Sequence, residues 1–113
     1  MADSPSFKEL KETYFLLDRN FNKLFAACTN EEQRDRLRMS YVTARDTFWE
    51  ARLRVFQQND PLVKKLTQDV KDAKDKISGM LNNLKEIVKV LDAITAVVHL
   101  GSSLITLGSA AVL

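Results

Sequence analysis

Histidine and cysteine occur once each in this 113-residue chain, and glycine and proline are scarce, at three and two. Each shortage closes off a class of chemistry. A lone Cys28 permits no intramolecular disulfide, and the simplest reading is a reducing, cytoplasmic compartment. One His and one Cys, far apart in sequence, are too few ligands for a zinc or iron centre, so no metal and no cofactor is expected. Nucleophilic catalysis would have to couple Cys28 or a serine to His99, the single conventional base. Cys28 closes an apolar stripe and reads as core, so no catalytic residue and no enzyme activity are expected. Gly101 and Gly108 have no Lys-Ser/Thr sequel and form no phosphate loop.

A second shortage is local. Charged residues make up 28% of the chain, yet none occurs from Ala93 to Leu113. As one helix this stretch would run about 31 Å, near the thickness of a bilayer's hydrocarbon core. A tail so poor in charge must be shielded by protein or by lipid.

What is present describes helices. The chain is 45% hydrophobic and low in helix breakers, away from both disorder and a β-sandwich. Its length allows one modest core, and a single domain over 1–113 is expected. Seventeen basic and fifteen acidic side chains leave a net charge of +2. Arg34, Arg36, Arg38, Arg45, Arg52 and Arg54 are offset by Glu31, Glu32, Asp35, Asp46 and Glu50, with Glu32–Arg36 and Glu50–Arg54 spaced as intrahelical pairs. This is a solvated, salt-bridged face, and nucleic acid is not expected as a partner. Met1 to Ser6 has neither a basic n-region nor an apolar h-region, so no signal peptide is expected.

The periodicity predicts an all-α antiparallel bundle of three helices, over 6–28, 31–58 and 61–113. Ser6-Phe7-Lys8-Glu9 fits a capping box, and Phe7, Leu10, Tyr14, Leu17, Phe21, Leu24 and Cys28 then share one helical stripe. Thr29-Asn30-Glu31-Glu32 repeats the capping signature and leaves room for only a tight, antiparallel connection. The second helix carries two apolar seams, one through Leu37, Tyr41, Ala44, Phe48, Ala51 and Val55. The other runs through Met39, Val42, Trp49, Leu53 and Phe56, which predicts two packing partners. Asn59-Asp60-Pro61 opens the third helix. Its apolar seam keeps phase through Ile77, Met80 and Leu84 to the C-terminus, with Lys64, Lys71, Lys74 and Lys85 on the opposite face. The alternative is a four-helix bundle with a break near Ser78-Gly79 or Asn82-Asn83, the only cluster of helix-breaking residues in the segment.

A continuous third helix would be roughly 80 Å long, against roughly 42 Å for the second, so the uncharged segment 93–113 would project. Its expected association or insertion surface is Ile94, Val98, Gly101, Ile105, Gly108 and Val112. The outward face changes after Asp92 from charged to small and polar, as Thr95, His99, Ser102, Thr106 and Ser109. His99 there either hydrogen-bonds a neighbour or acts as a pH sensor whose protonation opposes association. The glycines either end the helix or let another backbone approach closely. These patterns predict a non-enzymatic helical protein that acts through helix–helix association, as a homo-oligomer or with a helical partner. The alternative is a membrane-active protein, pore-forming or tail-anchored, in which 93–113 inserts in a bilayer. No small-molecule substrate is expected.

Overall fold

The computed structural model describes residues 4–111. They form α1 (Pro5–Ala27), α2 (Glu31–Ala51), α3 (Pro61–Met80) and α4 (Ile87–Gly108), with two short strands, β1 (Arg54–Phe56) and β2 (Ser109–Ala111). The all-α class holds, but the helices number four: the continuous helix over 61–113 is overturned in favour of the break at Asn82-Asn83. Ser78 and Gly79 stay inside α3. The chain leaves α3 through a Leu81 cap whose amide donates to the Ile77 carbonyl at 3.1 Å, and the Lys85 amide donates to Asn83 Oδ1. The apolar phase was no guide, because the turn returns the chain with Leu81 and Ile87 both facing the same core.

The helix starts follow local chemistry, with two shifts from expectation. Ser4, not Ser6, caps α1, accepting from the Phe7 amide with Pro5 in the first turn. Ser6 and Glu9 are thereby freed from the expected capping box and point inward, both buried. Asn30 caps α2 by accepting from the Gln33 amide, while Thr29 donates to the Gln33 side chain. Asp60 caps α3 ahead of Pro61, accepting from Leu62 and Val63.

The second helix stops at Ala51 instead of reaching 58. The chain turns at Arg52-Leu53, and β1 pairs antiparallel with β2 in the register Arg54 to Ala111, Val55 to Ala110 and Phe56 to Ser109. Phe56 buries beneath the ribbon while Val55, expected in a core seam, faces out. Strand pairing here is a tertiary event between residues more than fifty positions apart, and helical period carries no trace of it.

The bundle measures 44 × 23 × 23 Å. α1 packs on α2, α2 on α4, α4 on α3 and α3 on α1, with α1 and α4 touching across one diagonal. Sequential helices are antiparallel, whereas α1 runs parallel to α3 and α2 parallel to α4. The bonds Ser6–Thr67 and Glu9–Lys74 fix the first parallel pair, and Arg36–Asp92 with the strand ribbon fixes the second. Along the antiparallel α1–α2 seam run Phe7, Phe48, Tyr14, Tyr41, Phe21 and Phe25, successive ring centroids 5.0 to 5.8 Å apart. Leu17, Leu24, Leu37, Ile77, Leu91, Ile94 and Leu104 are essentially fully buried, each contributing about 1.5–3 kcal/mol by leaving water.

Lys74 departs most from its expected place on the solvated face. It is only 9% exposed, between α1 and α3. Its Nζ donates to Glu9 Oε1 at 2.6 Å and to Glu12 Oε1 at 2.7 Å. Lys23 caps α3 from the other end of α1, donating to the Leu81 carbonyl at 2.6 Å.

Candidate association surface

The seam expected to meet another molecule is largely spent inside the bundle. Ile94, Val98, Gly101, Ile105 and Gly108 are buried against the chain's own helices, and Val112 lies outside the described residues. The glycines do admit close neighbours, but within the fold. A Cβ on Gly101 would stand 3.0 Å from Leu10 Cδ2. One on Gly108 would stand 3.1 Å from Val63 Cγ2 and 4.0 Å from the Val63 Cα, so α4 ends with its backbone against the start of α3.

The outward side of α4 remains. Thr95, His99 and Thr106 are exposed, Ser102 and Ser109 half-buried, with Ala96 and Leu107 beside them, and no charge follows Asp92 along this side. Thr95 and Ser109 turn their hydroxyls onto the Leu91 and Ile105 carbonyls of the preceding turn. Between this side and α2 lies a shallow groove of about 330 Å³, lined by Arg36, Met39, Ser40 and Thr43 from α2 and by Thr95, Val98, His99 and Ser102 from α4. Thr95, His99 and Ser102 of the polar stripe are thus brought together, while Thr106 and Ser109 lie further along α4. Arg36, expected to pair with Glu32, instead donates across the groove to Asp92 at 2.6 Å and Thr95 at 3.2 Å.

Among the described residues the second apolar seam stays largely exposed, and only Phe56 of it is buried. Met39, Trp49 and Leu53 are 71%, 54% and 64% exposed, and Val42 is exposed with them. α2 does have the two packing partners its two seams predict, α1 and α4, but they leave most of this second seam uncovered. Arg52 stacks over the Trp49 ring at 4.5 Å, and Arg54 pairs with Glu50 at 2.7 Å as its spacing predicted.

Burial and hydrogen bonding shift several titratable groups. Burial pushes the Cys28 thiol up, against the opposing pull of Arg34 and Arg38, which keeps it protonated and a poor nucleophile. Tyr41 donates to Asp18 Oδ1 at 2.6 Å, and that bond, with Tyr14 nearby, pushes the phenol well above its ordinary value. Lys74's hydrogen bond holds the Glu12 carboxyl below its ordinary value despite partial burial. Burial works against the Lys74 charge, but the bonds to Glu12 and Glu9 outweigh it and the ammonium is raised. Among the described residues no group of three or more His, Cys, Asp or Glu is placed to hold a metal ion.

The class these elements define is a four-helix bundle whose last helix is long and apolar enough to cross a membrane, a property shared by membrane spans and by core helices of soluble proteins. No protein-family model, no curated protein and no solved structure matches the chain.

Proposed function

We propose that this is a non-enzymatic helical association module, which works by packing a helix face against another copy or another helical protein. The observation that carries the reading is the outward side of α4. Thr95, Ala96, His99, Thr106 and Leu107 are exposed there and Ser102 half-buried, yet this side has no Lys, Arg, Asp or Glu, where a helix facing only water keeps charge. Small hydroxyl and alanine side chains suit close approach by a second helix, and the exposed apolar seam of α2 adds area beside it.

A second reading has its own support. α4 has the length and composition of a membrane span, and less than half of its most apolar stretch is enclosed by the rest of the chain. In that reading the bundle opens and α4 inserts. Light scattering over a concentration series, alongside liposome flotation, separates the two. A discrete mass above the monomer without lipid supports association; a monomer that floats with liposomes supports insertion. A chain that stays monomeric and does not float overturns both.

A further inference from the structure

The groove between α2 and α4 has one charged side chain in its lining, Arg36, at one end. Arg36 pairs there with Asp92, 2.6 Å apart, and about two turns beyond Thr43 on α2, outside the groove lining, Glu50 pairs with Arg54 at 2.7 Å beside Asp46, Trp49 and Leu53. Between them the lining is Met39, Ser40, Thr43, Val98, His99 and Ser102. Arg36, Thr43 and Glu50 succeed one another at about two turns, so they fall on nearly one line along α2 with Thr43 in the centre. A line that is cationic at one end, neutral at its midpoint and anionic at the other is complementary to itself when reversed. A two-fold axis near Thr43 carries out that reversal, setting each Arg36 towards the partner's Glu50. Asp92 and Arg54 then extend the alternation of sign on each side, and neither carboxylate meets its own copy. Asp46, which also leans towards this face, stays beside its neighbour Arg45 at 3.6 Å.

The area supports the same occupant. A 21-residue helix gives a face about 32 Å long, and two adjacent helices make it about 20 Å wide. That is a footprint of about 600 Å² before side-chain relief, which approaches the roughly 800 Å² per partner of a standard stable interface. A neutral centre also suits a copy of itself better than a strongly charged partner, whose side chains would be desolvated against Met39 and Val98 with nothing to pair.

We propose that the α2–α4 face is the contact between two copies of this chain, related by a two-fold axis through the groove, with Arg36 of each copy set against Glu50 of the other. The proposal rests on the association reading and makes it specific. It assigns Met39, His99 and Ser102 to the middle of the interface and Thr95 to its Arg36 end.

The experiment is a charge exchange read by sedimentation velocity. Arg36→Glu alone and Glu50→Arg alone each place like charges at both contacts and weaken self-association by about tenfold or more. Mixed in equal amounts, the two variants restore opposite charge at both contacts, and a heterodimer forms with near wild-type affinity. Recovery on mixing cannot arise from a fold weakened in either variant. A separate readout is Thr43→Cys, which lies at the axis and cross-links to its own copy under mild oxidation, whereas Trp49→Cys does not. If the wild type assembles but the single variants assemble equally well, mixing recovers nothing, or the Thr43→Cys chain fails to cross-link, this interface is wrong while association stands. If the wild type does not assemble at all, the association reading falls with it.

Discussion

At the scale of single residues, the buried ammonium of Lys74 is the most exacting feature of the fold. It lies between α1 and α3 with Glu9 and Glu12 as acceptors, and among the described residues no buried side-chain nitrogen or oxygen lacks a partner. Removing the lysine leaves the Glu9 carboxylate buried without its counter-ion. Lys74→Met is therefore expected to cost about 3 kcal/mol in urea unfolding, and Glu9→Leu combined with Lys74→Met to recover most of that. A double variant as unstable as the single one would mean the cluster matters through packing alone. The pH dependence has a definite sign. Because the folded-state value of Glu12 is depressed, its stabilisation is complete above the ordinary carboxylate value and is lost as pH falls through the lower folded value. The thermal midpoints of wild type and Glu12→Gln should then differ at neutral pH and converge on acidification. Glycines separate along the same logic of surroundings. A Cβ at Gly79 meets nothing within 4 Å, so Gly79→Ala should stabilise by about 0.5–1 kcal/mol through helix propensity. At Gly108 the new methyl is opposed by the stiff, branched Val63 side chain, and Gly108→Ala should be destabilising by the same unfolding measurement.

At the scale of elements, the legible boundaries were those written in local chemistry. Asp60-Pro61 announces α3 because an Asp cap and a proline in the first turn act within a few residues. The two capping boxes were half right: the helices start where expected, but Ser4 and Asn30 do the capping, and Ser6 and Glu9 answer to α3 across the bundle. Whatever depended on distant partners was not legible. Lys74 looks solvated by period, and only the opposing Glu9 and Glu12 make it a buried residue. The end of α2 is set by β2, and the α3–α4 turn preserves apolar phase because both helices line one core. α4 then supplies Leu91, Ile94, Val97 and Leu104 to that core, against every other helix. Truncation after Asp92 removes Ile94, Val97 and Leu104 together, at about 2–5 kcal/mol for each large apolar side chain lost. The shortened chain should show no cooperative thermal transition by circular dichroism. A truncated chain that still melts cooperatively would mean that α1, α2 and α3 form a core without it.

At the scale of the whole molecule, the two functional readings ask opposite things of the bundle. Association through the α2–α4 face uses surface already presented and leaves every helix in place. Insertion requires α4 to leave α3 and α2, exposing the apolar faces that it now covers. A covalent tie between the end of α4 and the start of α3 therefore separates them. The site for it is Val63 and Gly108, since a Cβ on Gly108 would stand 4.0 Å from the Val63 Cα, within reach of disulfide geometry. Neither residue belongs to the groove between α2 and α4. The doubly substituted chain, Val63→Cys with Gly108→Cys, should self-associate as the wild type does whether oxidised or reduced, because the bundle need not open. If insertion is the activity, the oxidised chain should fail to float with liposomes and regain flotation once a reductant cuts the tie. Self-association that appears only after reduction would show that the assembling species is an opened bundle, with the buried seam of Ile94, Val98 and Ile105 as its contact, instead of the outer face of α4.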